Sequence, residues 1–406
     1  MKGLWQSPTL RSAVVYALSG IGFAGANLIL ARVLPTEQYA IFTLLIALIN
    51  LGYSLAPMGI DGVVNRHRLE AGPGLLRSAL RPAVAIGLIF AATALAVYHT
   101  APALAALLFV ACLAGGAMTV AGAKFQSEQR FGASLALLQS PNLVLLVAAL
   151  VTVAGHISSA WPAILISSAG FVVAAIAGWV VLLAERRGTP QRETAFSWGE
   201  ALSFAGLNAS GLVLLQLERL SLPHLRPLSD LALYGVLGAI AGSLFRMLQM
   251  GVGFSLLPRL RAASTVVDRR RLIAHELRLV GGIAVSGSVV IWFVTPLVER
   301  WLLAGKYHLA GTLVLAAIVS GIGKIANAFT KALASAMAEP RELALVNIFG
   351  WVSVAISIVG AFVGARWGLA GLIYGVAIGW FMRSVFATVI ILRHLRLPVS
   401  IPATAP

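Results

Sequence analysis

Twelve runs of about 20 mostly apolar residues, parted by short polar loops, constrain this chain more than any other feature. They cover residues 12–33, 41–63, 80–98, 103–123, 133–154, 161–184, 204–217, 231–257, 279–296, 310–336, 343–365 and 368–392. The seventh is short and is expected to begin near Ala201. A helix of this length spans a bilayer's hydrocarbon core and satisfies its own backbone hydrogen bonds there. The chain is 59% hydrophobic and only 11% charged, with mean hydropathy +0.91. A soluble domain carries roughly 25% charged residues, so the membrane must be this chain's solvent. Lys2 and Arg11 precede the first run, and no A-x-A cleavage site follows it. That run is therefore expected to be a retained helix rather than a signal peptide.

One helix-hairpin motif occurs twice. The first copy runs from Asn27 through Arg32 and Pro35 to Tyr39-Ala40. The second runs from Leu217 through Arg219, Pro223, Pro227 and Asp230 to Tyr234-Gly235. The two tyrosines stand 195 positions apart, close to half of 406 residues. Self-similarity at this period indicates a duplicated fold. The polar segment 185–200 divides six runs from six. The expected organisation is an N-terminal six-helix bundle (1–184), a cytoplasmic linker (185–200) and a C-terminal six-helix bundle (201–406). Because six is even, both halves insert in the same direction. The fold class is thus an all-α polytopic membrane protein. Its twelve transmembrane helices form two pseudo-symmetric bundles around a central cavity.

The net charge of +16 does not indicate nucleic acid, because the basic residues sit in short loops between apolar runs. With the N-terminus inside, cytoplasmic segments hold 20 of the 30 Lys and Arg residues, external segments 6 and helices 4. That bias predicts both termini in the cytoplasm. The basic segment 259–278, with Arg269-Arg270-Arg271, is expected to lie on anionic lipid headgroups.

The four cations inside predicted helices are Arg246, Lys324, Lys331 and Arg383. Each costs roughly 2.5–3.5 kcal/mol at a helix centre, so together they imply a compensating role. Ser320, Lys324, Asn327, Lys331 and Ser335 are spaced as one face of the tenth helix. Lipid cannot satisfy such a stripe, so it must face a cavity or other helices. Acids are scarce: Asp61 falls in the last turn of the second run and Glu218 at the outer end of the seventh. A net-positive cavity attracts an anion. The candidate lining residues are Arg246, Lys324, Asn327, Lys331 and Arg383, with Arg66 and Lys124 at the cytoplasmic lip. A structural alternative pairs Arg246 with Glu218 and lets Lys331 and Arg383 reach the headgroups.

Signals of catalysis and cofactors are missing from the sequence. The seven histidines are scattered without metal-ligand spacing, and the single cysteine, Cys112, lies in an apolar run. Ser320-Gly-Ile-Gly-Lys324 lacks phosphate-loop spacing and falls inside a helix. No nucleophile motif occurs. The expectation is a non-enzyme without a cofactor. Pro57 and Pro141 should kink or loosen their helices. Gly20, Gly22, Gly25, Gly360 and Gly364 should allow close helix contacts.

The chain resembles the superfamily that holds polysaccharide-repeat-unit flippases, lipid II flippases and multidrug exporters. It is most similar to Wzx-type O-antigen and exopolysaccharide flippases. In the first half the matching residues are Leu30-Ala-Arg32-Val-Leu34, Glu37-Gln-Tyr39, and Met58-Gly59-Ile60 followed by Arg66. The second half adds Glu218-Arg219, Asp230-Leu-Ala-Leu-Tyr234-Gly235, Leu257-Pro258-Arg-Leu260 and Leu303-Ala-Gly305-Lys306-Tyr307. Asn347-Ile-Phe-Gly350 and Trp367-Gly368-Leu-Ala-Gly371 complete the series. The resemblance implies a V-shaped cavity of alternating access and an undecaprenyl-diphosphate-linked oligosaccharide substrate. It also implies a bacterial inner-membrane location among membrane lipids, and a polysaccharide polymerase as partner. The chain is short for that family, and its first helix lacks a deep cation. A cation-coupled multidrug exporter of the same fold is the alternative, although neither the first nor the seventh run carries a central carboxylate. A membrane glycosyl-polymerase or ligase would need a larger external loop. A major-facilitator transporter would need an acidic-arginine signature that Gly59 to Arg66 only faintly echoes.

Overall fold

A computed structural model describes residues 8–185, 197–243, 245, 256, 260 and 265–396. Among these residues there are helices and turns and no strand. The first half holds α1 (Pro8–Val33), α2 (Thr36–Leu55), the short α3 (Ile60–His67), α4 (Pro73–Ala96), α5 (Pro102–Ser127), α6 (Phe131–Ala154) and α7 (Trp161–Ala184). The second half holds α8 (Trp198–Leu225), α9 (Leu228–Leu237), α10 (Val266–Leu297), α11 (Gly311–Met337), α12 (Pro340–Gly364) and α13 (Gly368–Arg396). All but α3 correspond to the twelve expected spans, so the chain is a multi-pass membrane protein of two six-helix bundles. Most of the expected linker, residues 186–196, lies outside the described residues.

The two hairpins owe their likeness to proline. Pro35 caps the start of α2 at φ −52°, ψ 149°, and Pro227 caps α9 at φ −58°, ψ 151°. Proline has no N–H to continue the preceding helix and pushes the residue before it into extended backbone. The prolines are 192 positions apart, whereas the tyrosines are 195 apart. Equivalence therefore runs through the prolines. It matches Tyr39 with Leu231 and Ala40 with Ala232, all four with no exposed surface. Tyr234 sits one turn further on.

Three expected segments differ in the structure. The second run is broken: α2 stops at Leu55, and α3 starts after Gly59, whose φ is +82°. A side chain at Gly59 would meet the Ala201 carbonyl oxygen at 1.9 Å, so glycine alone permits this turn to touch α8. The seventh run is longer than its apolar stretch suggested. α8 continues to Leu225, which places Glu218 two turns inside the helix instead of at its outer end. The basic segment is largely helical. Thr265 caps α10 by accepting from the Asp268 N–H at 3.0 Å, and Arg269 to Arg278 form its first turns. Those arginines are continuous with the spanning helix, and residues 259 and 261–264 of the segment lie outside the described residues.

In the first bundle α5 is central, packed against α2, α4, α6 and α7, while α1 lies along α6. In the second, α13 is central against α11 and α12, and α12 packs on α8. Gly360 and Gly364 do bring helices together. A side chain at either would strike the backbone of Gly375 or Gly371 at 2.4 or 2.2 Å. The bundles meet through α2 against α8 and α9, and through α3 against α8. α9 passes into a π-helical turn, Gly238–Gly242, at this interface. Such turns distort the helix locally and recur beside functional sites.

Candidate substrate cavity

Between the bundles lies a cavity of about 670 Å³. The first bundle contributes Ser19, Asn50, Thr119, Gln139 and Asn142, with Asp61 from α3. The second contributes Asn208, Asn327, Lys331, Ser335, Trp380 and Arg383. The two walls differ in charge: the first bundle sets the carboxylate of Asp61 among amides and hydroxyls, whereas the second carries the cations Lys331 and Arg383.

On the cationic wall, Lys331 Nζ donates to Asn208 Oδ1 at 3.0 Å, tying α11 to α8. Arg383 is only 4% exposed, and its guanidinium fits beside Gly211 of α8 and Gly350 of α12, where side chains would crowd it. Its Nη1 has no hydrogen-bond partner. Neither cation is paired with a carboxylate among the described residues. Asp61 is the acid that lines the same cavity. A fixed positive charge in a partly desolvated wall favours an anionic ligand.

The stripe on α11 crosses two compartments. Asn327, Lys331 and Ser335 line the main cavity. Ser320 and Lys324 line a second one of about 100 Å³, with Arg219, Tyr234 and the π turn. There Lys324 Nζ stands 3.0 Å from Glu218 Oε1, and Ser320 Oγ donates to the same oxygen at 3.4 Å. Glu218 is fully buried, and Lys324 lies 6.0 Å from the centre of the Trp380 indole. Lys324 is thus the partner of Glu218, the place the sequence offered to Arg246. Arg246 lies outside the described residues.

The two lip residues stand away from the cavity lining. Arg66 is exposed and pairs with Glu200 at 3.0 Å, alongside His67 at 2.9 Å. Lys124 is buried within α5 and pairs with Glu128 one turn on, at 2.9 Å. The amide wall of the first bundle is absent from the sequence-predicted lining, whose one amide is Asn327. Asn50, Gln139 and Asn142 are amides set inside apolar runs, and that was the available signal.

The cavity is sealed at the end that carries the hairpins. Lys306, between α10 and α11, donates from Nζ to the carbonyls of Ala31 at 2.8 Å, Arg32 at 3.5 Å and Leu34. These are carbonyls at the end of α1 that no helical N–H satisfies. Tyr307 lies 6.3 Å from the Tyr39 ring. Tyr98 Oη donates to the Leu220 carbonyl at 3.0 Å. Gly235 of α9 fits against Thr43 and Tyr39 of α2, leaving no space for a side chain.

No protein-family model and no curated protein matches the chain. Solved structures do. An inward-facing structure of a multidrug resistance MATE family transporter of the MOP superfamily has a TM-score of 0.61 at 16% identity, over 94% of this chain and 93% of that one. The lipid II flippase MurJ, in an inward closed conformation, has a TM-score of 0.63 at 11% identity, over 95% of this chain and 89% of that one. A eukaryotic MATE transporter has a TM-score of 0.61 at 12% identity, over 95% of each chain. At such identities the likeness establishes the fold: this chain is built like the transporters of the MOP superfamily.

Proposed function

We propose that the protein is a flippase. It moves undecaprenyl-diphosphate-linked oligosaccharide repeat units from the cytoplasmic to the external leaflet for surface polysaccharide synthesis. The observation that carries this reading is the pair of cations, Lys331 and Arg383, which line an inter-bundle cavity and are paired with no carboxylate among the described residues. A diphosphate head cannot cross about 30 Å of hydrocarbon unaided. A cationic wall replaces part of its hydration while the lipid tail stays in the bilayer. The same reading places both termini in the cytoplasm of a bacterial inner membrane, so the hairpin end faces outside. Bundles 1–184 and 201–406 then move against each other about the linker, and a polysaccharide polymerase takes the product.

The reading is tested by deleting the gene. The expected phenotype is lipid-linked repeat units accumulating on the inner leaflet with loss of surface polysaccharide. Normal surface polysaccharide in a strain without a paralogue overturns it. Topology is tested separately by labelling a cysteine placed at Thr265, where external labelling contradicts the orientation.

A second reading, a cation-coupled multidrug exporter, is favoured by Asp61 on the cavity lining, since a carboxylate there can hold a cationic drug. Efflux of cationic dyes by the purified protein in vesicles, lost in Asp61→Asn, would support it over the flippase.

A further inference from the structure

Ser19, Gln139 and Asn142 form a closed hydrogen-bond triangle on the first-bundle wall. Ser19 Oγ donates to Gln139 Oε1 at 2.6 Å. Asn142 Nδ2 donates to Ser19 Oγ at 2.7 Å and to Gln139 Oε1 at 3.2 Å. All three residues are on the cavity lining, joining α1 to α6. Gln139 and Asn142 are three residues apart, so they share one face of α6, beside Pro141. The triangle uses one polar atom of each amide and leaves the other. Gln139 Nε2, a double donor, and Asn142 Oδ1, an acceptor, make no other hydrogen bond among the described residues. Turning both amides over exchanges the two roles and again leaves one donor and one acceptor. Turning only one would oppose like atoms across the 3.2 Å contact. A locked, uncharged donor–acceptor pair is poorly suited to phosphate and well suited to a hydroxyl or an acetamido group.

We infer that the Ser19–Gln139–Asn142 triangle is a carbohydrate-recognition subsite, which holds the sugar against the first bundle while the diphosphate lies against Lys331 and Arg383. This assignment rests on the flippase reading and adds a polarity to it. The substrate head bridges the two bundles, sugar on the amide-bearing wall and phosphate on the cationic one. Rocking of the bundles then acts on both ends of one molecule, which makes the presence of a sugar, and not only of a lipid phosphate, a condition for closure.

The test is photo-crosslinking in native membranes of the full chain with its own substrate. A diazirine amino acid is placed at Leu138, next to Gln139, and separately at Ala328, beside Lys331; both line the cavity. Mild acid then cleaves the sugar–phosphate bond of each adduct. The expected result is carbohydrate retained at Leu138 after acid, and phosphate with lipid retained at Ala328. Phosphate without carbohydrate at Leu138 overturns the subsite but leaves the flippase reading standing. Carbohydrate-free, phosphate-free adducts at both positions overturn the flippase reading itself. In the Leu138 background, Gln139→Leu with Asn142→Leu should lower carbohydrate capture roughly thirtyfold, two hydrogen bonds at about 1 kcal/mol each. Undiminished capture makes the triangle a packing feature only. If the double variant fails to fold, Ser19→Ala replaces it. That change releases both amides to rotate, and it should cut capture by about threefold.

Discussion

Lys324 and Lys331 stand on one face of α11, two turns apart, and meet opposite surroundings. Lys324 is closed in with Glu218, Ser320 and the Trp380 ring. Lys331 looks into the main cavity, with the neutral amide of Asn208 as its hydrogen-bond partner. The same residue type on the same stripe is therefore internally compensated in one region and left with unsatisfied charge in the other. Compensation marks a lysine that holds α8 to α11. Its absence at Lys331 is what the flippase reading rests on.

The largest expected effect breaks the compensated side. Lys324→Ala leaves the fully buried Glu218 without its cation, which costs on the order of 3–5 kcal/mol when one partner of a buried pair is removed. Thermal unfolding of the purified protein should show a large drop in Tm. Adding Glu218→Gln in the same chain should recover most of it, because the uncompensated charge is gone. A Lys324→Ala protein that melts like the parent would mean that Glu218 is satisfied elsewhere, and the contrast between the two lysines would collapse.

The next effect falls on transport instead of stability. Lys331→Ala and Arg383→Ala remove cations that no described carboxylate balances, so Tm should hold or rise slightly. Delivery of lipid-linked sugar to the outer leaflet should fall to near background. Arg383→Lys should keep part of the activity, since it preserves charge but not the planar fork that grips a phosphate. Export at parental rates by either alanine variant, at equal expression, would remove that cation from the substrate path.

These two outcomes also measure what the sequence disclosed. The stripe from Ser320 to Ser335 was legible as a polar face from spacing alone, and so were the twelve spans and the duplication. The division of that stripe between two compartments was not. It depends on Glu218 lying two turns inside α8, which an apolar-run boundary at Leu217 concealed. The helix in fact continues through Arg219, Ser221 and His224: Arg219 donates to Gln216 and Ser221 to the Glu218 carbonyl within α8, and His224 packs on the Tyr98 ring. The amide wall escaped for a related reason. Counting charges finds residues that are costly in lipid, and Asn and Gln cost less, so Gln139 and Asn142 passed as ordinary members of an apolar run. Lys306 read as an external loop cation, with no sign in the sequence that it reaches back to the end of α1.

That latch yields a smaller prediction. Lys306→Met removes the donor to the carbonyls of Ala31, Arg32 and Leu34 while keeping the length of the side chain. The residue is exposed, so the loss should be about 1 kcal/mol, roughly a fivefold shift toward the conformer open at the hairpin end. A cysteine at Thr43, beside Gly235 in the sealed interface, should label correspondingly faster from outside. Unchanged labelling would transfer the seal to the Tyr39, Tyr307 and Gly235 contacts alone.

The smallest effect is expected at the opposite end. Arg66 and His67 of α3 meet Glu200 of α8 at 3.0 and 2.9 Å, distances as short as that between Lys324 and Glu218. The Arg66 side chain is 65% exposed, however, whereas Glu218 is wholly buried. Water screens the surface pair, and ordering two long side chains offsets most of what attraction remains, leaving about 0–1 kcal/mol. Arg66→Ala should therefore change Tm hardly at all, and its effect should vanish in high salt, where Lys324→Ala keeps its full cost. Cysteines at Asn65 and Ser203, cross-linked in membranes, should show Arg66→Ala lowering the cross-linked fraction by less than twofold. A larger fall, insensitive to salt, would mean that Glu200 anchors α3 structurally and that proximity, not burial, decides the strength of ion pairs in this fold.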